Sequence, residues 1–113
     1  MSWDITLIDP DTASEFKIDQ NPNHVGGTHE VGGPSYTYLY ITWNYNRHIK
    51  DTLHLLHNEN AGEMIPLLTS AVEQLGTKKN ADYWKCTKGN AGFALSILLE
   101  WAEKFPHGRF QIH

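Results

Sequence analysis

NADYWKCTKGNAGFALSILLEWAEKF, residues Asn80 to Phe105, decides the fold. Its second half carries two apolar stripes. Ala91, Ala94, Leu95, Leu98 and Ala102 repeat at i, i+3, i+4 and define one helical face. Phe93, Ile97 and Trp101 add a stripe at i, i+4, i+8. A helix apolar around most of its circumference is enclosed on several sides, so this segment is the expected central core helix. Thr87 is the expected N-cap, because its hydroxyl can accept from an amide otherwise left without a partner. Lys88, Gly89 and Asn90 then form the first turn, where backbone N–H groups lack intrahelical acceptors. Lys104 in the last turn and Pro106 beyond it mark the end.

The 113 residues suffice for one domain with one core, residues 1–113. Hydrophobic residues make up 40% and charged residues 19%, which places the chain among globular proteins rather than disordered ones. The formal net charge of −4 argues against nucleic acid as the main partner, since phosphate backbones demand a cationic surface. A single cysteine, Cys86, excludes an internal disulfide framework and a CxxC zinc site. No apolar run reaches membrane-spanning length, and MSWDITLIDPD lacks the basic and apolar regions of a signal peptide.

Outward from the core helix, the elements read as follows. Ser2 to Ile8 alternates, with Trp3, Ile5 and Leu7 on one side, and reads as a half-buried strand. Asp9-Pro10-Asp11-Thr12 turns the chain, and Glu15 to Ile18 returns as a hairpin partner burying Phe16 and Ile18. Residues 20–35 form a polar loop with two glycine pairs, Gly26-Gly27 and Gly32-Gly33, flanking Thr28. Tyr36 to Trp43 is aromatic and β-branched and reads as the central strand, with Leu39, Ile41 and Trp43 facing the helices and Tyr38, Tyr40 and Thr42 opposite. Asn46 is the expected cap of a helix over Arg47 to His57, whose core stripe is Ile49, Leu53 and Leu56. Gly62 to Leu75 reads as the next helix, with Ile65, Leu68, Val72 and Leu75 inward, Pro66 in its first turn and Gly76 as C-cap. Residues 77–89 connect to the core helix, and Gly108 to His113 adds a last strand with Phe110 and Ile112 inward. The expected architecture is α+β: a small antiparallel sheet, in the order β-β-β-α-α-α-β, packed on one face by about three helices.

Chemistry is sparse. Asp51, His54 and His57 fall at helical spacing, with Asp51 and His54 opposite the core stripe, and a metal needs convergent ligands from other elements, so solvated side chains and no metal are expected. Cys86 has no partner histidine that the sequence identifies, and an inert, partly buried thiol is expected. The better candidate is an anion site at Thr87 to Asn90, at the positive end of the helix dipole. Lys78, Lys79, Lys85 and Lys88 crowd around it. Tyr83 and Trp84 supply either flat faces on which a base can stack or anchors in the core.

WDITLIDPDT, the GGT and GG pair followed by an ITWNY segment, IPLLTSAVEQLG, and DYWKCTKGNAGFALSILLEWAEKFPHGRF together resemble a family of small phage and prophage proteins. The resemblance covers most of the chain and is most specific from Asp82 to Phe110. Positions matching its pattern are Thr28, Asn44, Tyr45, Tyr83, Trp84, Thr87, Gly89 and Asn90. Lys88 stands where the pattern has proline, and this chain carries more histidine. The resemblance implies a context rather than a chemistry: a phage-encoded protein acting in the host bacterial cytoplasm.

These readings converge on a non-enzymatic binding protein without cofactors. Its expected ligand-binding residues are Thr28, Asn44, Tyr45, Tyr83, Trp84, Thr87, Lys88, Gly89 and Asn90. The first expectation is sequestration of a nucleotide-derived signalling molecule to counter host antiviral defence, in a homo-oligomer that encloses the ligand between subunits. The alternative is an inhibitor that binds a host defence or metabolic protein directly.

Overall fold

A computed structural model describes residues 1–18, 28–30 (backbone only) and 36–113. Among these residues the strands are β1 (Ser2–Asp9), β2 (Ser14–Glu15), β3 (Thr28–Glu30), β4 (Tyr38–Thr42) and β5 (Arg109–Ile112), and the helices are α1 (Asn46–Leu56), α2 (Ala61–Leu75) and α3 (Lys88–Lys104). The protein is α+β, with an antiparallel sheet and three helices in the expected order. The short β3 lies inside the segment read as loop and pairs with Leu39 to Ile41. The glycine pairs around it lie outside the described residues.

The sheet is organised around β1. Ile5 and Thr6 pair with β4 and also with β5, so those strands lie on opposite edges. Ile8 pairs with Glu15 of β2 and with Arg109 of β5, which puts β2 on the β4 side. β3 extends the sheet beyond β4. The sequence reading made the aromatic strand central; the strand with the most neighbours is instead β1, because the chain's last strand returns beside its first. The aromatic strand is also shorter than expected. Thr37 is fully buried and joins three segments: its hydroxyl donates to the Leu7 carbonyl at 2.7 Å and accepts from the Phe16 amide at 3.0 Å.

Alternation along β1 and β4 aims Ile5, Leu7, Leu39 and Ile41 at the helices, where they share one core with Ile49, Leu53 and Leu56 of α1 and with α3. Phe110 and Ile112 of β5 are buried as expected. Trp43 is not on this face. It begins a 3-10 turn, Trp43–Tyr45, and remains 41% exposed. Thr42, expected on the opposite face, is buried and caps that turn by accepting from the Asn44 amide at 3.2 Å.

α3 is the central helix. Ala91, Ala94, Leu95, Ile97, Leu98, Trp101 and Ala102 are all buried, and Thr87 caps its start by accepting from the Asn90 amide at 3.1 Å. Burying each large aliphatic side chain stabilises the fold by about 1.5–3 kcal/mol. α2 packs along α3 and begins one residue earlier than expected. Pro66 is the sixth residue of α2, inside the helix rather than in its first turn. The first amides of the helix find partners outside it. Ala61 and Gly62 donate to the Gly108 and Pro106 carbonyls, and Glu63 donates to the Asn60 side chain.

α1 departs from the sequence reading at its cap. Asn46 does not cap it; the Asn46 Oδ1 accepts from Trp3 Nε1 at 2.6 Å, tying the helix start to β1. The 3-10 turn feeds α1 directly, which leaves no extended residue at Asn46 to act as a cap.

Candidate functional site

The connection between α2 and α3 carries the candidate residues, and its shape follows from short polar side chains. Asn80 Oδ1 accepts from the Asp82 amide at 2.8 Å, and Asp82 Oδ1 accepts from the Trp84 amide at 3.1 Å. These are successive turns in which an Asn or Asp side chain bonds the backbone two residues on. The Lys85 amide then donates to the Asp82 carbonyl, and the Thr87 amide to the Lys85 carbonyl.

Four consecutive carbonyls in this loop are bonded by side chains from elsewhere. Asn90 Nδ2 donates to the carbonyls of Asp82, at 3.1 Å, and Lys85, at 2.9 Å. The Tyr45 hydroxyl donates to the Tyr83 carbonyl. Asn44 Nδ2 donates to the Trp84 carbonyl at 3.0 Å. Asn90 Oδ1 accepts from the Asn80 amide at 2.9 Å, so every polar atom of that fully buried side chain has a partner. The backbone is held from beneath by α3 and from the side by the 3-10 turn.

The side chains this loop displays face solvent. Tyr83 is 45% exposed and Trp84 57% exposed, so neither is a core anchor. Cys86 is exposed, not partly buried as the sequence reading had it, because the carbonyls rather than the side chains of this loop point inward. Lys78, Lys79, Lys85 and Lys88 are exposed. Lys79 Nζ lies over the Phe93 ring, 4.3 Å from its centroid. Among the described residues no carboxylate pairs with Lys78, Lys85 or Lys88, whereas Lys104 pairs with Glu100 on α3.

The fold therefore brings Asn44, Tyr45, Tyr83, Trp84, Thr87 and Asn90 together. Thr28 lies on β3 opposite Ile41, and its side chain is outside the description. Gly89 serves packing. A β-carbon there would overlap the Lys78 carbonyl oxygen, which lies against the first turn of α3. The Thr87 hydroxyl is occupied as a cap.

Burial pushes the Tyr45 phenol up to about 12, with the nearby Asp82 and Cys86 charges adding to the effect. The hydroxyl thus stays protonated as the donor its bond requires. His54 is exposed but stands edge-on to Trp3, centroids 5.7 Å apart. His57 is not a solvated surface residue. It is half-buried, and its Nδ1 accepts from the Ile112 amide at 3.0 Å, because β5 runs beside the end of α1. Among the described residues no group of three His, Cys, Asp or Glu side chains is placed to hold a metal.

Two contributors were missed in the sequence. Asp82 shapes the loop, and its signal was the Asn80-x-Asp82-x-Trp84 spacing. Trp43 adds an exposed ring beside Asn44, 6.0 Å from the Trp3 ring; its place in an alternating strand hid this. No helix among the described residues is long and apolar enough to cross a membrane. No protein-family model, curated protein or solved structure matches this chain.

Proposed function

We propose that the protein is a non-catalytic, phage-encoded binding protein that counters host antiviral defence by sequestering a nucleotide-derived signalling molecule. One observation carries the reading: Tyr83 and Trp84 stay exposed on a loop whose carbonyls at residues 82–85 are all bonded inward. Rings carried on a backbone held this way spare the loop its ordering cost when a base stacks on them. Lys78, Lys85 and Lys88, without carboxylate partners among the described residues, give an otherwise acidic chain a local site for phosphate charge. Binding is favoured over turnover because Asn44, Tyr45 and Asn90, the polar side chains against this loop, are already committed to its backbone. A single loop covers one side of a ligand, so a homo-oligomer supplies the other.

A second reading, direct inhibition of a host protein, is favoured by Trp43. Its ring is exposed although it stands 6.0 Å from the Trp3 ring, a second outward aromatic besides the Tyr83–Trp84 pair, and Trp and Tyr dominate protein-interface hot spots.

Native mass spectrometry, alone and with cyclic and NAD-derived nucleotides, tests both readings. Sequestration requires a retained nucleotide mass on an oligomer, lost in Trp84→Ala while the melting temperature is preserved. A bare protein mass with every nucleotide overturns it and leaves the inhibitor reading, for which Trp43→Ala and Trp84→Ala should each weaken capture of a host protein.

A further inference from the structure

Asn44, Tyr45 and Asn90 are among the residues expected to bind ligand, yet their geometry gives them a different task. Tyr45 and Asn90 are fully buried. Asn90 has both amide hydrogens and its carbonyl oxygen engaged, with nothing left to offer a ligand. The Tyr45 hydroxyl and the Asn44 amide each donate to a neighbouring carbonyl of the same dipeptide, Tyr83 and Trp84.

We propose that Asn44, Tyr45 and Asn90 are positioning residues that clamp the 82–85 backbone and so fix the outward presentation of Tyr83 and Trp84. The clamp has two jaws. One is the 3-10 turn after β4, where Thr42 caps the turn and Asn46 is anchored by Trp3. The other is the first turn of α3, where the Thr87 cap sets Asn90 beneath the loop. With its carbonyls drawn to two elements far apart in sequence, none of the four peptide planes can rotate without breaking a bond to one of them. The gain is preorganisation: the backbone that carries the rings is ordered before any partner arrives. This inference rests on reading the Tyr83–Trp84 loop as the recognition element.

The test uses the free protein and the variants Asn44→Ala, Tyr45→Phe and Asn90→Asp. Asn44 is exposed, so its truncation leaves the core untouched; Tyr45→Phe keeps the buried ring; Asn90→Asp keeps an acceptor for Asn80 and loses both donors. Losing one such bond should speed exchange of the Trp84, Lys85 and Thr87 amides about fivefold. Exchange in α2 and the middle of α3 should not change in Asn44→Ala. The emission anisotropy assigned to Trp84, by difference from Trp84→Phe, should fall in every variant. Unchanged loop exchange and anisotropy would overturn the proposal. So would acceleration spread equally through α2 and α3, the mark of general destabilisation. These readouts need no ligand. A wild-type protein that binds no nucleotide sinks the sequestration reading without altering them, and a variant that binds like wild type despite a loosened loop sinks the positioning role alone.

Discussion

Gly92→Ala sets two effects of opposite sign against each other on α3. Alanine is the better helix former by about 1 kcal/mol, so local propensity alone predicts a more stable protein. Packing predicts the reverse. A β-carbon at Gly92 would overlap the Gly76 carbonyl oxygen and lie 2.9 Å from its carbon and 3.0 Å from the Leu75 β-carbon. These atoms are backbone or the root of a side chain, so no rotamer change relieves the clash. The obstructing segment is itself held, since the Gly76 amide caps α2 by donating to the Val72 carbonyl at 2.8 Å. The end of α2 and α3 must therefore move apart. Overpacking of this kind costs about 1–3 kcal/mol, and a rigid obstacle puts Gly92→Ala at the top of that range. Set against the helix gain, the net loss is about 2 kcal/mol. At about 4 °C per kcal/mol for a chain of this size, the melting temperature falls by about 8 °C. Thermal and urea unfolding followed by far-ultraviolet circular dichroism measure it. A variant as stable as the wild type, or more so, would refute the close approach of the two helices on which the reasoning rests.

Two further outcomes follow from the site and the sheet. The Tyr45 phenol is raised to about 12, so the folded state holds its proton more tightly than the unfolded state. That stabilisation is complete below about pH 10 and is lost as pH rises from there through about 12. Absorbance titration at 295 nm should show Tyr45 ionising late, with Tyr38 also raised by desolvation, and Tyr45→Phe should both remove the Tyr45 step and flatten the decline in stability; a Tyr45 that ionises with the exposed tyrosines refutes its burial and its bond to Tyr83. His57→Phe removes the acceptor for the Ile112 amide and should cost about 1 kcal/mol, with faster exchange at Ile112 but not at Phe110, whose amide bonds the Glu59 carbonyl; equal protection at Ile112 in both proteins would refute the bond.

The helices were legible because their signals are local. Ile49, Leu53 and Leu56 lie one turn apart, and any fold that buries one buries all three. Thr87 announced the start of α3 by residue type and position. What escaped depends on contacts far along the chain. The central place of β1 needs β5, some hundred residues later, to return beside it. Asn46 has the right type for a cap, but Trp3 claims its oxygen, and no local pattern shows that. Trp43 fits the strand alternation and leaves it only because Thr42 caps a turn one residue earlier. At the candidate site the residues that converge were legible, while their division of labour was not. Asn90 reads as a polar group at an open helix start until the loop above it is seen to send its carbonyls down.

The pairing of β5 with β1 has a consequence for the growing chain on the ribosome. Residues 2–9 emerge before the three described helices, and their neighbour at residues 109–112 emerges after them. Until then one side of β1 presents bare amides and carbonyls, and the Ala61 and Gly62 amides of α2 lack the carbonyls of Pro106 and Gly108. The nascent protein can collapse its helices early, but it closes its sheet and seals the start of α2 in a single late event.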